Sequence, residues 1–131
     1  VPLGGFCQTI GPLWWRLDKG QVRFAFRAGP EHLNPQGIVH GGMLASFADH
    51  VMGAAVWEAI GRKPCATVSL HSSFLGPARA GEWVEGLAKV TRRGQSLVFV
   101  VGRLFAGDRG LLTAEGIWKV LKPSKAVAPP L

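Results

Sequence analysis

Apolar and polar residues alternate with a period of two along most of this chain, and one long stretch in the middle breaks that rhythm. Val22, Phe24, Phe26 and Ala28 alternate with Arg23, Ala25 and Arg27, as a half-buried strand requires. Before them, Asp18-Lys19-Gly20 has hairpin-turn chemistry, and a first strand is expected over residues 11–17 with Leu13, Trp15 and Leu17 on one face. From Met43 to Ile60 the period changes: Leu44, Phe47, Val51 and Ala55 recur at helical spacing, and eighteen residues of helix span about 27 Å. Gly61-Arg62-Lys63-Pro64 closes this helix with glycine as cap, basic residues at the negative end of its dipole, and proline as stop.

Alternation then returns. Ala66, Val68, Leu70 and Phe74 are expected on the packed face of a strand, with Thr67, Ser69, His71 and Ser73 on its polar face. Three further strands are expected over residues 82–91, 96–106 and 111–121, separated by turns at Arg93-Gly94-Gln95 and Gly107-Asp108-Arg109-Gly110. In the second of these Leu97, Phe99 and Val101 oppose Val98, Val100 and Leu104, so both faces are apolar and the strand should be central and covered on both sides. One helix cannot cover two faces, which predicts a homo-oligomer. Residues 1–10 read as an irregular lead-in, and residues 122–131, with three prolines, as a mobile tail. Two strands, one helix and four strands make an α+β layout, an antiparallel sheet on one helix, in a single domain over residues 1–131.

At 47% hydrophobic the chain has ample material for a core. The best apolar run is interrupted by Ser46, Asp49 and His50, short of a transmembrane span, and no charged-then-apolar leader opens the chain. A soluble, cytoplasmic protein without membrane partners is expected. Two cysteines, Cys7 and Cys65, have no metal-site spacing and are read as free thiols. The net charge of +7 favours an anionic ligand, but Arg23, Arg27, Lys89, Arg103 and Lys119 are scattered without a stacking platform, so no nucleic-acid partner is expected.

Candidate chemistry concentrates around the helix. Gly41 and Gly42 occupy its start, where no Ser, Thr, Asp or Asn supplies a cap, so backbone N–H groups are expected to be approachable by negative charge. Asp49 lies within a helix otherwise almost devoid of polar side chains, a costly position unless something uses the carboxylate. Ala45 and Gly53 on the same face leave room for a close approach. His40, Asp49 and His50 lack the spacing of a zinc helix, and no metal is expected. His32, His50 and His71 are read as structural or surface residues, with His71 able to line a pocket.

Asn34-x2-Gly37-x2-His40-Gly41-Gly42 followed by Asp49 and Gly53, together with Ser73-Phe74-Leu75-Gly76-Pro77-Ala78, Gly81-Glu82 and Arg93-Gly94-Gln95-Ser96, resembles the hotdog-fold acyl-coenzyme A thioesterases, especially the phenylacetate-pathway type. The resemblance covers nearly all of residues 10–121. It implies an antiparallel sheet wrapped around one long central helix, with active sites between subunits of a dimer or a tetramer built as a dimer of dimers. It further implies that Asp49 activates water or attacks the thioester, that the Gly41 N–H polarises the carbonyl, that Asn34 and His40 shape the site, and that Thr67 positions the water.

Coenzyme A would then be part of the substrate, with no separate cofactor. Gly42, Arg62, Arg92, Arg93 and Gly94 are the candidate contacts to it. Val51, Met52, Phe74 or Trp57 would line the acyl group. A hotdog hydratase or dehydratase and a non-catalytic acyl-thioester binding protein are the competing readings; the first would ordinarily need a differently placed catalytic histidine.

Overall fold

The computed structural model describes residues 4–122. In chain order the elements are α1 (Phe6–Ile10), β1 (Trp14–Asp18), β2 (Gln21–Arg27), a 3-10 turn (Pro30–His32), α2 (Gly41–Ala59), β3 (Cys65–Phe74), β4 (Trp83–Arg93), β5 (Leu97–Ala106) and β6 (Arg109–Val120). All strand pairs are antiparallel, in the order β1-β2-β4-β5-β6-β3. The sheet carries α2 on one face, and this is a hotdog fold.

Phe26 from β2, Phe47, Val51, Met52 and Val56 from α2, Val84 from β4, Val98, Val100 and Leu104 from β5, and Leu112 and Trp118 from β6 form the core between helix and sheet. Phe47 is fully buried and meets Phe26 edge-on at 4.8 Å between ring centroids. Burying one such side chain is worth about 1.5–3 kcal/mol. The helix sits close because two strand positions lack side chains. A Cβ at Gly86 would lie 2.8 Å from Val51 Cγ2, and one at Gly102 would lie 2.8 Å from Met52 Cγ.

Several sequence expectations are corrected. The lead-in contains the short helix α1, and the first strand starts at Trp14 rather than residue 11. Trp15 and Leu17, facing the helix side of that strand, stay largely exposed because β1 is a sheet edge lying beyond the reach of α2. β5 is central as expected, but only its inner face is covered within the chain: Phe99 and Val101 on the outer face are 37% and 41% exposed. The expected tail lies, from residue 123 onward, outside the described residues. None of the described helices is long and apolar enough to cross a membrane.

The correction that matters most for the site concerns β3. In β3 the pairing with β6 shifts between Thr67 and Ser69, so Thr67 lies opposite Trp118 while Leu70 lies opposite Gly116. Val68 is the extra residue of a bulge. Trp118 and Gly116 are two apart and share the inner face, so Thr67 and Leu70, three apart, share it too. Strict alternation had put Thr67 on the opposite face from Leu70 and had packed Val68, which is instead 59% exposed.

Candidate active site

The loop before α2 is folded by Asn34. Its Oδ1 accepts the N–H groups of Gln36 at 2.9 Å and Ile38 at 3.3 Å, its own N–H donates to Ile38 O, and its carbonyl accepts the Gly37 N–H. Gly37 adopts φ 81°, which a side chain would strain. These bonds set the loop's shape. The chain then passes Val39, whose N–H donates to Ala78 O, and reaches His40, whose N–H donates to the carbonyl of His32.

His40, and not a glycine, is the N-cap of α2. Its Nδ1 accepts the Gly42 N–H at 2.8 Å, which leaves the ring hydrogen on Nε2, and its carbonyl accepts the N–H groups of Met43 and Leu44. Three of the four first helical donors are therefore occupied. The Gly41 N–H alone has no partner among the described residues. The expectation of approachable donors thus narrows to one. The ring of Phe74, from the end of β3, borders this spot: a Cβ at Gly41 would lie 3.5 Å from its nearest atom.

Asp49 lies on the side of α2 that faces β3. Thr67 donates its Oγ1 hydrogen to Asp49 Oδ1 at 2.6 Å, which the β3 bulge makes possible. This leaves Oδ2 available for another proton. The small residue Gly53 on the same side admits the Trp118 indole, whose Nε1 is 3.3 Å from where a Cβ would stand, so the room expected there is already filled. Along the helix, Gly41 and Asp49 are eight residues apart, a rise of about 12 Å.

The candidate coenzyme A contacts separate into two places. Gly42 is at the start of α2, with its N–H held by His40. Arg62 follows the other end of α2, where it pairs with Glu58 at 3.2 Å and lies over Trp57. Arg92 and Arg93 close β4, and the Gly94 N–H is held by Leu97 O. The register Leu97↔Lys119 and Cys65↔Val120 brings the end of β4, the start of β5 and the start of β3 to one end of the sheet. Arg62, Arg92, Arg93 and Lys119 therefore share the end of the molecule at which α2 finishes. Of the expected acyl-lining residues, Val51 and Met52 are buried in the core against β4 and β5 and cannot line a site, whereas Phe74 and Trp57 are exposed. His71 lines a groove of about 520 Å³ with Lys89, Arg103 and Glu115, but this lies on the sheet's outer face, away from Asp49 and Gly41.

Sequence reasoning missed the part played by His32. Its Nδ1 accepts the Gly29 N–H at 3.0 Å, so Nε2 carries the hydrogen and donates to Ile10 O at 2.6 Å. With its carbonyl held by His40, this buried ring ties α1 to the segment leading into α2. The Gly-Pro-x-His sequence at Gly29-Pro30-Glu31-His32 carried a turn signal, but nothing in it indicated the distant acceptor. Among the described residues no cluster of three or more metal-ligating side chains occurs.

The helix on this sheet thus has one vacant N–H at its start and a hydroxyl-bound carboxylate about two turns on. Residues 36–113 match the thioesterase superfamily, and the chain belongs to it. A Pseudomonas aeruginosa protein provisionally named an esterase is 36% identical over 113 residues, covering 83% of each chain. Human acyl-coenzyme A thioesterase 13 is 29% identical over 97 residues, 74% of this chain and 69% of that one. A crystal structure from Ralstonia eutropha, described as a provisional thioesterase related to phenylacetic acid degradation, superposes with a TM-score of 0.81 at 32% identity over 92% of both chains. The protein is a thioester hydrolase.

Proposed function

We propose that the protein hydrolyses acyl-coenzyme A thioesters, with Asp49 as general base and the Gly41 N–H as the donor that stabilises the oxyanion. The observation that carries this is the pairing of two unsatisfied groups: a carboxylate held through one oxygen by Thr67, and the one helix-start N–H without a partner among the described residues. Asp49 Oδ2 takes a proton from water, the hydroxide adds to the carbonyl carbon, and negative charge collects on the carbonyl oxygen at Gly41. The carbon–sulfur bond then breaks, and the leaving thiolate takes the proton back from Asp49. Asn34 and His40 hold the loop and cap that aim the Gly41 N–H. No metal or cofactor takes part.

Attacking water and oxyanion donor must both lie within about 3 Å of one carbonyl group. A rise of about 12 Å between Gly41 and Asp49 of the same helix leaves donor, carbonyl and water stretched almost end to end, a poor geometry for in-place attack. The site is therefore shared: Asp49 of one copy works with Gly41 of another. The unpaired edge of β3, which carries Thr67, Val68 and Phe74, lies on the same flank as both groups and is where the copies meet in a dimer. The open apolar outer face of β5 fits the further association of dimers into a tetramer. The basic end with Arg62, Arg92 and Arg93 suits the phosphates of coenzyme A, and the relative named acyl-coenzyme A thioesterase supports that substrate.

The test is steady-state hydrolysis of an acyl-coenzyme A by Asp49→Asn, with thermal melting alongside. A general base is worth at least about 10²-fold. Turnover within about threefold of the parent, in a variant that melts normally, removes Asp49 from the chemistry.

A further inference from the structure

Cys7 and His50 come together from positions 43 residues apart, with Cys7 Sγ 3.4 Å from His50 Nδ1. His50 follows Asp49 in α2 but projects about 100° further round the helix, away from the Thr67–Asp49 bond. His50 points toward β2, where Phe24 meets its ring edge-on at 5.3 Å, and α1 lays Cys7 against it from the chain's beginning. Burial lowers the His50 pKa, and the nearby Asp49 charge only partly opposes this. The imidazole is therefore a neutral base with Nδ1 turned to a thiol that is itself only partly covered. A nucleophile within hydrogen-bond reach of a base, with access to solvent, is an arrangement that activates sulfur.

The molecule holds its own control. Cys65 is covered to a similar degree, but burial and the adjacent Asp49 charge push its thiol pKa up, so its thiolate is disfavoured. Cys7 faces an imidazole and Cys65 a carboxylate, so the two differ in surroundings more than in exposure. Hydrolysis of a thioester by Asp49 makes no use of Cys7.

We propose that Cys7 is a modification site for small disulfides, with His50 as the base that activates it. His50 Nδ1 takes the thiol proton, the Cys7 sulfur attacks one sulfur of the disulfide, and the S–S bond of the reagent breaks. The released thiolate takes the proton from His50, giving one mixed disulfide on Cys7 and one free small thiol. The two electrons that reduce the leaving thiol come from oxidation of Cys7, and the disulfide is the oxidant. The substituted sulfur no longer donates to His50, so modification removes the tie between α1 and α2.

The experiment treats the full chain, reduced and desalted, with an aromatic disulfide reagent and separately with oxidised glutathione, followed by intact mass and peptide mapping. Cys7 is expected to react first and singly, about tenfold or more faster than Cys65 in the same molecule. In a Cys65→Ser background, His50→Gln should slow the reaction of Cys7 about tenfold. Equal rates at the two cysteines, or an unchanged Cys7 rate in His50→Gln, overturns the proposal. If His50→Gln does not fold, Cys65→Ser protein compared with an unstructured peptide of residues 4–10 decides instead. Faster reaction in the protein upholds the proposal, and slower or equal reaction overturns it.

Discussion

The two flanks of α2 are built on opposite terms. Toward β4 and β5, Phe47, Val51, Met52 and Val56 are at most 2% exposed, and Gly86 and Gly102 bring the strand backbones in so closely that no side chain could be added. Toward β3, the same helix presents Asp49 and the half-buried start at Gly41 to an edge strand with an unpaired side. The first flank fixes where the helix is; the second uses that fixed position to hold a carboxylate and a backbone donor. A core that admits no extra methyl group is what lets a short polar contact such as Thr67 to Asp49 keep its 2.6 Å geometry.

This contrast can be broken from either side. Phe47→Ala on the packed flank should cost about 3–5 kcal/mol of stability, seen as a large drop in melting temperature or denaturant midpoint. A loss below about 1 kcal/mol would mean that the flank is not the anchor.

On the open flank, Gly41→Pro should leave melting nearly unchanged while lowering hydrolysis about 10²-fold, roughly 2.7 kcal/mol of transition-state stabilisation. Proline suits the first helical position, and His40 already has the extended geometry, φ −58° and ψ 134°, that proline requires before it. Hydrolysis that survives intact would release the Gly41 N–H from its role. Thr67→Val, which keeps the shape and removes the hydroxyl, should lower kcat about tenfold, about 1.4 kcal/mol, with little change in KM. An effect on KM alone would make Thr67 a binding residue.

The smallest effect concerns acid. Because burial lowers the His50 pKa from its ordinary 6.5, the unfolded chain binds the proton more readily than the folded one. The resulting stability is complete above pH 6.5 and is lost as pH falls from there through the folded value. Melting temperature should therefore decline below pH 6.5, before carboxylates titrate, and His50→Gln should flatten that decline. The glutamate most affected, Glu82, is held below its ordinary 4.5 by its bond to Arg109, so its contribution is lost only at lower pH.

Much of the fold was legible because the apolar period is regular: Phe24 and Phe26, Leu44 to Val56, and Val98 to Leu104 announce their elements and their buried faces. Asp49 was legible as a carboxylate that an apolar helix should not carry without use. Less visible were features made by backbone rather than by side-chain type. A bulge at Val68 leaves no mark in an alternating sequence, yet it decides which way Thr67 points. The cap at His40 was hidden because histidine is an uncommon cap, and a ring nitrogen reaching two residues ahead is a matter of rotamer. Cys7 with His50, and His32 with Ile10, are meetings across the fold that no local pattern encodes.

The central claim is that Asp49 of one copy and the Gly41 N–H of another act on the same carbonyl, and mixing two inactive variants tests it most directly. Asp49→Asn and Gly41→Pro proteins, each nearly inactive alone, are co-expressed or unfolded and refolded together, and acyl-coenzyme A hydrolysis is measured. In a shared site, a dimer with one subunit of each kind has one site with both defects and one with neither. Random pairing then restores roughly a quarter of the parent activity. If the two groups belonged to one chain, every site would carry a defect, and a mixture no more active than its separate components would contradict the account.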